Sequence, residues 1–188
     1  MIDSLCDQTE RKDIAVIGLY CDFLAQQEQS TTDMLGAILK QLICREGIPD
    51  HIREAFRKAK REFGGRGLRL PDLVEILKKA IILLPRVFIC IDAVDESIPR
   101  HRRDLLESLR EIIRVSINTR IFLTGRPHIE DEIMRNFSKV VKIPFCSTQD
   151  DIKSYLEMRL SHDTDPYAMD DELRADIMRA IPEKSSEV

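Results

Sequence analysis

The sequence predicts an α/β fold built on a mostly parallel sheet, and three observations predict it. Four short β-branched or aromatic runs recur along the chain: Ile14 to Tyr20, Val87 to Ile91, Arg120 to Thr124 and Val140 to Phe145. Their apolar residues are nearly continuous rather than alternating, as in strands covered on both faces. Between the runs lie segments with apolar residues at helical spacing, and strands alternating with helices imply right-handed crossovers within one sheet.

Taken in order, the first run is followed by a helix that Thr31 or Thr32 caps, with Met34, Leu35, Ile38, Leu39, Leu42 and Ile43 along one stripe. A second stripe, Ile52, Ala55, Phe56, Ala59 and Phe63, ends at Gly64, Gly65 and Gly67. A third helix opens at Pro71 and Asp72, where a proline's missing amide is harmless, and runs to Leu84. Pro85 then turns the chain into the second apolar run. A fourth helix carries Leu105, Leu106, Leu109, Ile112 and Ile113 into the third run. After the last run, Ser147 or Thr148, with Asp150 and Asp151 in the first turn, starts a helix through Tyr155 and Leu156. Another follows from about Asp170 to Ile181. No repeat of solenoid length is present.

Composition narrows the function classes. A chain of 188 residues, 43% hydrophobic, holds one core and at most a small helical appendage. A net charge of −4 and a pI near 5.7 collect no nucleic acid, and the basic stretch from Arg53 to Arg69 reads as a solvated helix face. The longest apolar run, Ala80 to Ile91, is broken by Pro85 and Arg86 and is short of the roughly 20 residues a membrane span needs. The N-terminus lacks the basic-then-apolar pattern of a signal peptide, so the expected compartment is the cytoplasm. Five cysteines without a CxxC pair agree with a reducing one. His51, His101, His128 and His162 show no metal-ligand spacing, and no GxSxG elbow is present.

The chemistry concentrates in two strings. In RVFICIDAVDE, residues 86 to 96, five apolar residues lead into Asp92, Asp95 and Glu96. A buried strand ending in an acid cluster is the magnesium-holding, water-activating half of a phosphate-transfer site. The plainer alternative is that Asp92 caps a loop and the other two acids are solvated. In RIFLTGRPH, residues 120 to 128, a further strand delivers Thr124 and Arg126 to the same sheet edge. A guanidinium there offers a planar fork for phosphate oxygens, or else pairs with Asp92 or Asp95 as a structural ion pair. The phosphate-cradling GxxxxGK[ST] loop does not occur between Met1 and Val188. FGGRG, which lacks the lysine and the hydroxyl, reads as an interhelical turn.

RVFICIDAVDE followed by NTRIFLTGRPH resembles the extended Walker B and sensor motifs of the NACHT class of signal-transducing (STAND) P-loop NTPases, in particular fungal proteins with a nephrocystin-like N-terminal domain. The resemblance extends to YCDFLAQQEQSTTDMLGAILKQL at 20 to 42, FGGRGLRLPDLVEILKKA at 63 to 80 and QDDIKSYLEMRL at 149 to 160. It implies that Asp92 holds magnesium through water, that Asp95 or Glu96 orients the attacking water, and that Thr124 with Arg126 reads the terminal phosphate. Asp92 and Arg126 are then expected to lie close together. Val94 stands where leucine is usual, and Gly125 where many relatives have serine or threonine, a change expected to have no consequence by itself.

By the same resemblance, residues 13 to 23 match the family's second strand. The expected organisation is therefore a tail at 1–12, a partial P-loop NTPase core at 13–146 and the start of a helical subdomain at 147–188. The expected fold is a three-layer sandwich lacking its first strand, which in relatives lies between the Arg120 to Thr124 and Val140 to Phe145 strands. Those two strands are expected to pair directly or to present unpaired edges. The implied function is a fragment of a nucleotide switch without hydrolysis of its own, acting as an interaction or regulatory module. One alternative is an ordinary ATP- or GTP-hydrolysing NACHT switch whose P-loop exon is missing from the gene model; another is a magnesium-dependent phosphoesterase built on Asp92, Asp95 and Glu96. No cofactor is expected for the isolated chain, against magnesium with ATP or GTP in intact relatives. The expected partners are proteins, through self-association or intact NACHT proteins, with neither nucleic acid nor membrane.

Overall fold

A computed structural model describes residues 14–44, 50, 53–54, 57–58, 61, 68–145, 147–162 and 170–185. The chain divides into two compact units, Met1–Val140 and Val141–Val188.

In the first unit β1 (Ile14–Tyr20) buries Ala15, Ile17 and Leu19 in alternation. Helix α1 (Thr31–Ile43) follows, and its cap is Ser30 rather than either threonine. Ser30 Oγ accepts from the Asp33 amide at 3.3 Å while Asp33 Oδ2 accepts from the Ser30 amide at 3.2 Å. Only Ser30 has an acid three residues on with which to build this reciprocal box, a feature worth about 1 kcal/mol. Helix α2 (Leu70–Ile82) starts with Pro71 in its first turn. Strand β2 (Arg86–Asp92), helix α3 (Pro99–Val115), strand β3 (Thr119–Leu123) and helix α4 (Glu130–Asn136) complete the unit.

The sheet runs β1-β2-β3, both pairings parallel, with Tyr20 beside Asp92 and Ile91 beside Leu123. One core joins it to the helices: Ile17, Ile89 and Ile91 meet Leu35, Ile38 and Leu42 of α1, Leu77 and Ile81 of α2, and Leu105 and Leu109 of α3, all essentially fully buried. Burying each such side chain contributes about 1.5–3 kcal/mol, which is what holds the sheet edge in place.

Side chains cover part of the free edge of β1. The Cys21 amide donates to Asp92 O at 3.0 Å, so along β1 it is Val16, Gly18 and Tyr20 that turn their backbone groups away from β2. Gln41 of α1 covers Gly18, accepting from its amide at 3.1 Å and donating to its carbonyl at 2.8 Å. Gln29 donates to Tyr20 O at 3.1 Å and accepts from the Asp22 amide at 3.1 Å.

Val140 to Phe145 is not a strand. Val141, Ile143 and Phe145 are 87%, 73% and 97% exposed. A strand exists only through ladder bonds to a neighbour; this segment makes none with the described strands, and Pro144 has no amide to contribute. The sheet is thus smaller than the sequence suggested. The stripe Ile52, Ala55, Phe56, Ala59 and Phe63 and the glycines after it lie outside the described residues.

In the second unit α5 (Gln149–Ser161) packs against α6 (Asp171–Ser185). Thr148 caps α5 in a second reciprocal box with Asp151. The Thr148 hydroxyl, and then its amide, hold the Asp151 carboxyl below its ordinary range. No helix among the described residues is long and apolar enough to cross a membrane.

Candidate functional site

The carboxyl edge of the sheet gathers all five predicted site residues. Asp92 ends β2, Asp95 and Glu96 occupy a 3-10 turn, Val94–Glu96, and Thr124 and Arg126 follow β3. The register that sets Leu123 beside Ile91 places Thr124 next to Asp92. Beyond the carboxyl ends of parallel strands is where ligands bind in open α/β sheets.

Thr124 is fastened to the end of β2 through both backbone and side chain. Its amide donates to Ile91 O at 3.0 Å and its carbonyl accepts from the Val94 amide at 3.0 Å. Its hydroxyl oxygen accepts from the Ala93 amide at 2.8 Å, and the hydroxyl proton goes to Asp92 Oδ1. Ala93 adopts the left-handed conformation, φ 52° and ψ 45°. For a residue with a Cβ this costs about 1–2 kcal/mol, offset here by the Thr124 contacts and by complete burial of Val94.

That turn swings the other two acids toward Arg126. Arg126 Nε lies 3.6 Å from Asp95 Oδ2 and Nη2 lies 3.9 Å from Glu96 Oε1. The Arg126 amide donates to Asp95 Oδ1 at 3.3 Å, and Glu96 Oε2 accepts from the Phe23 amide at 3.1 Å. Asp92 and Arg126 both lie at the carboxyl edge, at the ends of adjacent strands, and of the two acids that the guanidinium could pair with it takes Asp95, together with Glu96, while threonine takes Asp92. The left-handed turn after Asp92 is the cause. Asp95 is 5% exposed at its side chain while Arg126 is 72% exposed, so one partner is fixed and the other is free to be drawn off.

Two residues at this edge have roles that sequence reasoning did not assign. Arg102 of α3 is buried, donating from Nη1 to the carbonyls of Asp95 at 3.3 Å and Ser97 at 3.0 Å, and from Nε to Glu132 at 2.9 Å. Its position three and four residues ahead of Leu105 and Leu106, on the apolar stripe, was the available signal. Gly125, read as inconsequential, is a close approach. A Cβ there would stand 2.6 Å from Ile129 Cδ1 and 3.3 Å from Asp95 Oδ1. A side chain at this position would push on the buried Ile129 and on the acid itself.

Cys21 lies behind the cluster. Burial, followed by the charges of Glu96, Asp92 and Asp95, pushes its thiol up to about 11, against a hydrogen bond from Ser97 that lowers it. It is a packing residue, with no thiolate at neutral pH.

Asp92, Asp95 and Glu96 are hard oxygen donors of the type magnesium takes. Each carboxylate, however, is engaged by the chain itself, and no three His, Cys, Asp or Glu side chains among the described residues converge as a metal set. The described residues do not fit a cation held by protein ligands alone.

Comparison with known proteins gives one assignment. The family described as "Nephrocystin 3, N-terminal" matches residues 1–126. No curated protein and no solved structure gives a match. The matched span takes in β1, the acid-tipped β2 and β3 as far as Arg126, 126 of the 188 residues, and the chain belongs to the Nephrocystin 3 N-terminal family.

Proposed function

We propose that this chain is part of a NACHT-type nucleotide switch of the P-loop class that does not hydrolyse nucleotide by itself and acts as a cytoplasmic interaction or regulatory module. The observation that carries the reading is the double latch at the carboxyl edge: Thr124 on Asp92, and Arg126 on Asp95 and Glu96. Residues with the chemistry of water activation and phosphate sensing face each other across adjacent parallel strands, yet they satisfy one another. Catalysis of phosphoryl transfer is almost entirely positioning and charge neutralisation, and the GxxxxGK[ST] loop that supplies most of both is not in these 188 residues.

Arg126 is the one member exposed enough to exchange an acid for a phosphate oxygen. A nucleotide held by that contact alone binds weakly. Thermal melting with magnesium and millimolar ATP or GTP tests this, since any ligand that binds only the folded state raises the melting temperature by mass action. The melting temperature should stay unchanged. A clear rise that Arg126→Ala abolishes would show a gripping site and favour the ordinary hydrolysing switch.

A further inference from the structure

The outer face of α3 carries an arginine stripe that the fold leaves unpaired. Arg100, Arg103, Glu107, Arg110 and Arg114 recur at spacings of three and four residues, so they share one face, and all five are exposed. Leu105, Leu109 and Ile112 bury the other face and so fix the direction in which the stripe looks. None of these four arginines makes an ion pair or a side-chain hydrogen bond among the described residues, although Glu107 lies four residues after Arg103 and three before Arg110. By contrast Arg69 pairs with Asp72, Lys78 with Glu75 and Glu111, and Arg179 with Asp176. Arg100 also stands in the first turn of α3, where the helix dipole favours acids and there are none. These guanidinium groups therefore contribute little to the fold itself.

We infer that this face of α3 binds an acidic peptide segment of another protein, with its charges at the same helical spacing. The stripe runs roughly 21 Å along the helix, and each guanidinium can take a carboxylate through two parallel hydrogen bonds. Three features select this occupant. Glu107 stands at the middle of the stripe, so the order of charge is positive, positive, negative, positive, positive. A protein segment can set a lysine or arginine against that glutamate, whereas a run of phosphates can only be repelled by it. Val115 and Ile117, 43% and 87% exposed, come directly after Arg114 and offer an apolar anchor that a phosphate backbone does not use. The chain as a whole carries a charge of −4, which opposes the approach of nucleic acid or of an anionic membrane. The same stripe on a second copy does not fit, because arginine would meet arginine. The inference goes beyond the nucleotide reading and does not depend on it, since it uses neither the acids of the sheet edge nor Arg126.

The test uses the full 188-residue chain and two alanine-based helical peptides of equal composition. In one, Glu, Glu, Lys, Glu and Glu follow the spacing of the stripe, with a leucine beyond the last; in the other the same residues are spread around the helix. Binding is followed by NMR at the arginine Nε–H signals. The patterned peptide should move the signals of Arg100, Arg103, Arg110 and Arg114, and should bind about tenfold more tightly than the permuted one. Arg103→Glu combined with Arg110→Glu should weaken that binding about tenfold or more at an unchanged melting temperature, and a peptide with lysines at the two facing positions should restore it. Should the double variant fail to fold, the two peptides compared on the unaltered chain still decide. Equal affinity for both peptides, or no binding to either at millimolar concentration, overturns the inference. So does tighter binding of a short DNA duplex or of phosphatidylserine vesicles than of the patterned peptide, and so does peptide binding that survives the double charge reversal.

Discussion

Replacing Arg102 by alanine should destabilise the fold by about 2–4 kcal/mol, a large part of the roughly 5–15 kcal/mol that holds a domain together. The magnitude comes from what the guanidinium touches. Two backbone carbonyls, of Asp95 and Ser97, accept from Nη1, and hydrogen bonds to a charged group contribute about 1.5–3 kcal/mol each when buried. Glu132 is left without the partner that sits 2.9 Å away, at a position only 21% exposed. Breaking a fully buried ion pair costs about 3–5 kcal/mol, and water entering the space left by the longer side chain brings the sum below that of the separate losses. In urea, with a slope of about 2 kcal/mol per molar, the midpoint should fall by about 1–2 M. The double variant with Glu132→Ala should cost less than the two single changes added together, because each removes the other's reason for being buried. A loss under about 1 kcal/mol for Arg102→Ala would refute the claim that Arg102 supports the acid-bearing turn.

Three further outcomes follow from the same edge. Arg126→Ala should change stability by no more than about 1 kcal/mol, because its pairs with Asp95 and Glu96 are made by a largely solvated guanidinium; urea melts check it. Thr124→Val should cost about 1–3 kcal/mol by leaving the Ala93 amide and the Asp92 carboxylate without the hydroxyl, whereas Thr124→Ser should restore most of the loss in the same melts. Maleimide labelling followed by peptide mapping at pH 8 should modify the exposed Cys44 and spare Cys21. The fold favours the neutral Cys21 thiol. Its contribution is therefore complete below the ordinary thiol value of 9.0 and is lost as pH rises through about 11, where labelling should accelerate.

The strands and the acid cluster were legible because local pattern and tertiary role coincide there. Val87 to Ile91 can only be interior, and a strand's carboxyl end is where its trailing acids must go. The helix of Met34 to Leu42 was legible for the same reason: its stripe is its buried face. What the sequence did not reveal depends on geometry between elements. Whether Arg126 meets Asp92 or Asp95 is decided by one left-handed residue, Ala93, and nothing in an alanine announces a positive φ. Val140 to Phe145 has the composition of a strand but pairs with no described strand, and composition alone does not supply a partner. Arg102 was passed over because an arginine among leucines reads as a break in the stripe, when it is the stripe's one polar tether to the turn. Ser30 was displaced by its threonine neighbours, although only it has Asp33 at the spacing a capping box requires.

The central claim is that the acids at the carboxyl edge satisfy the chain's own side chains and turn over no nucleotide. Phosphate release from ATP and from GTP in the presence of magnesium, measured for the purified chain and for Asp92→Asn side by side, tests it most directly. Both proteins should release phosphate at the same background rate. Release by the unaltered chain that disappears in Asp92→Asn would contradict the claim and make Asp92 part of a working hydrolase.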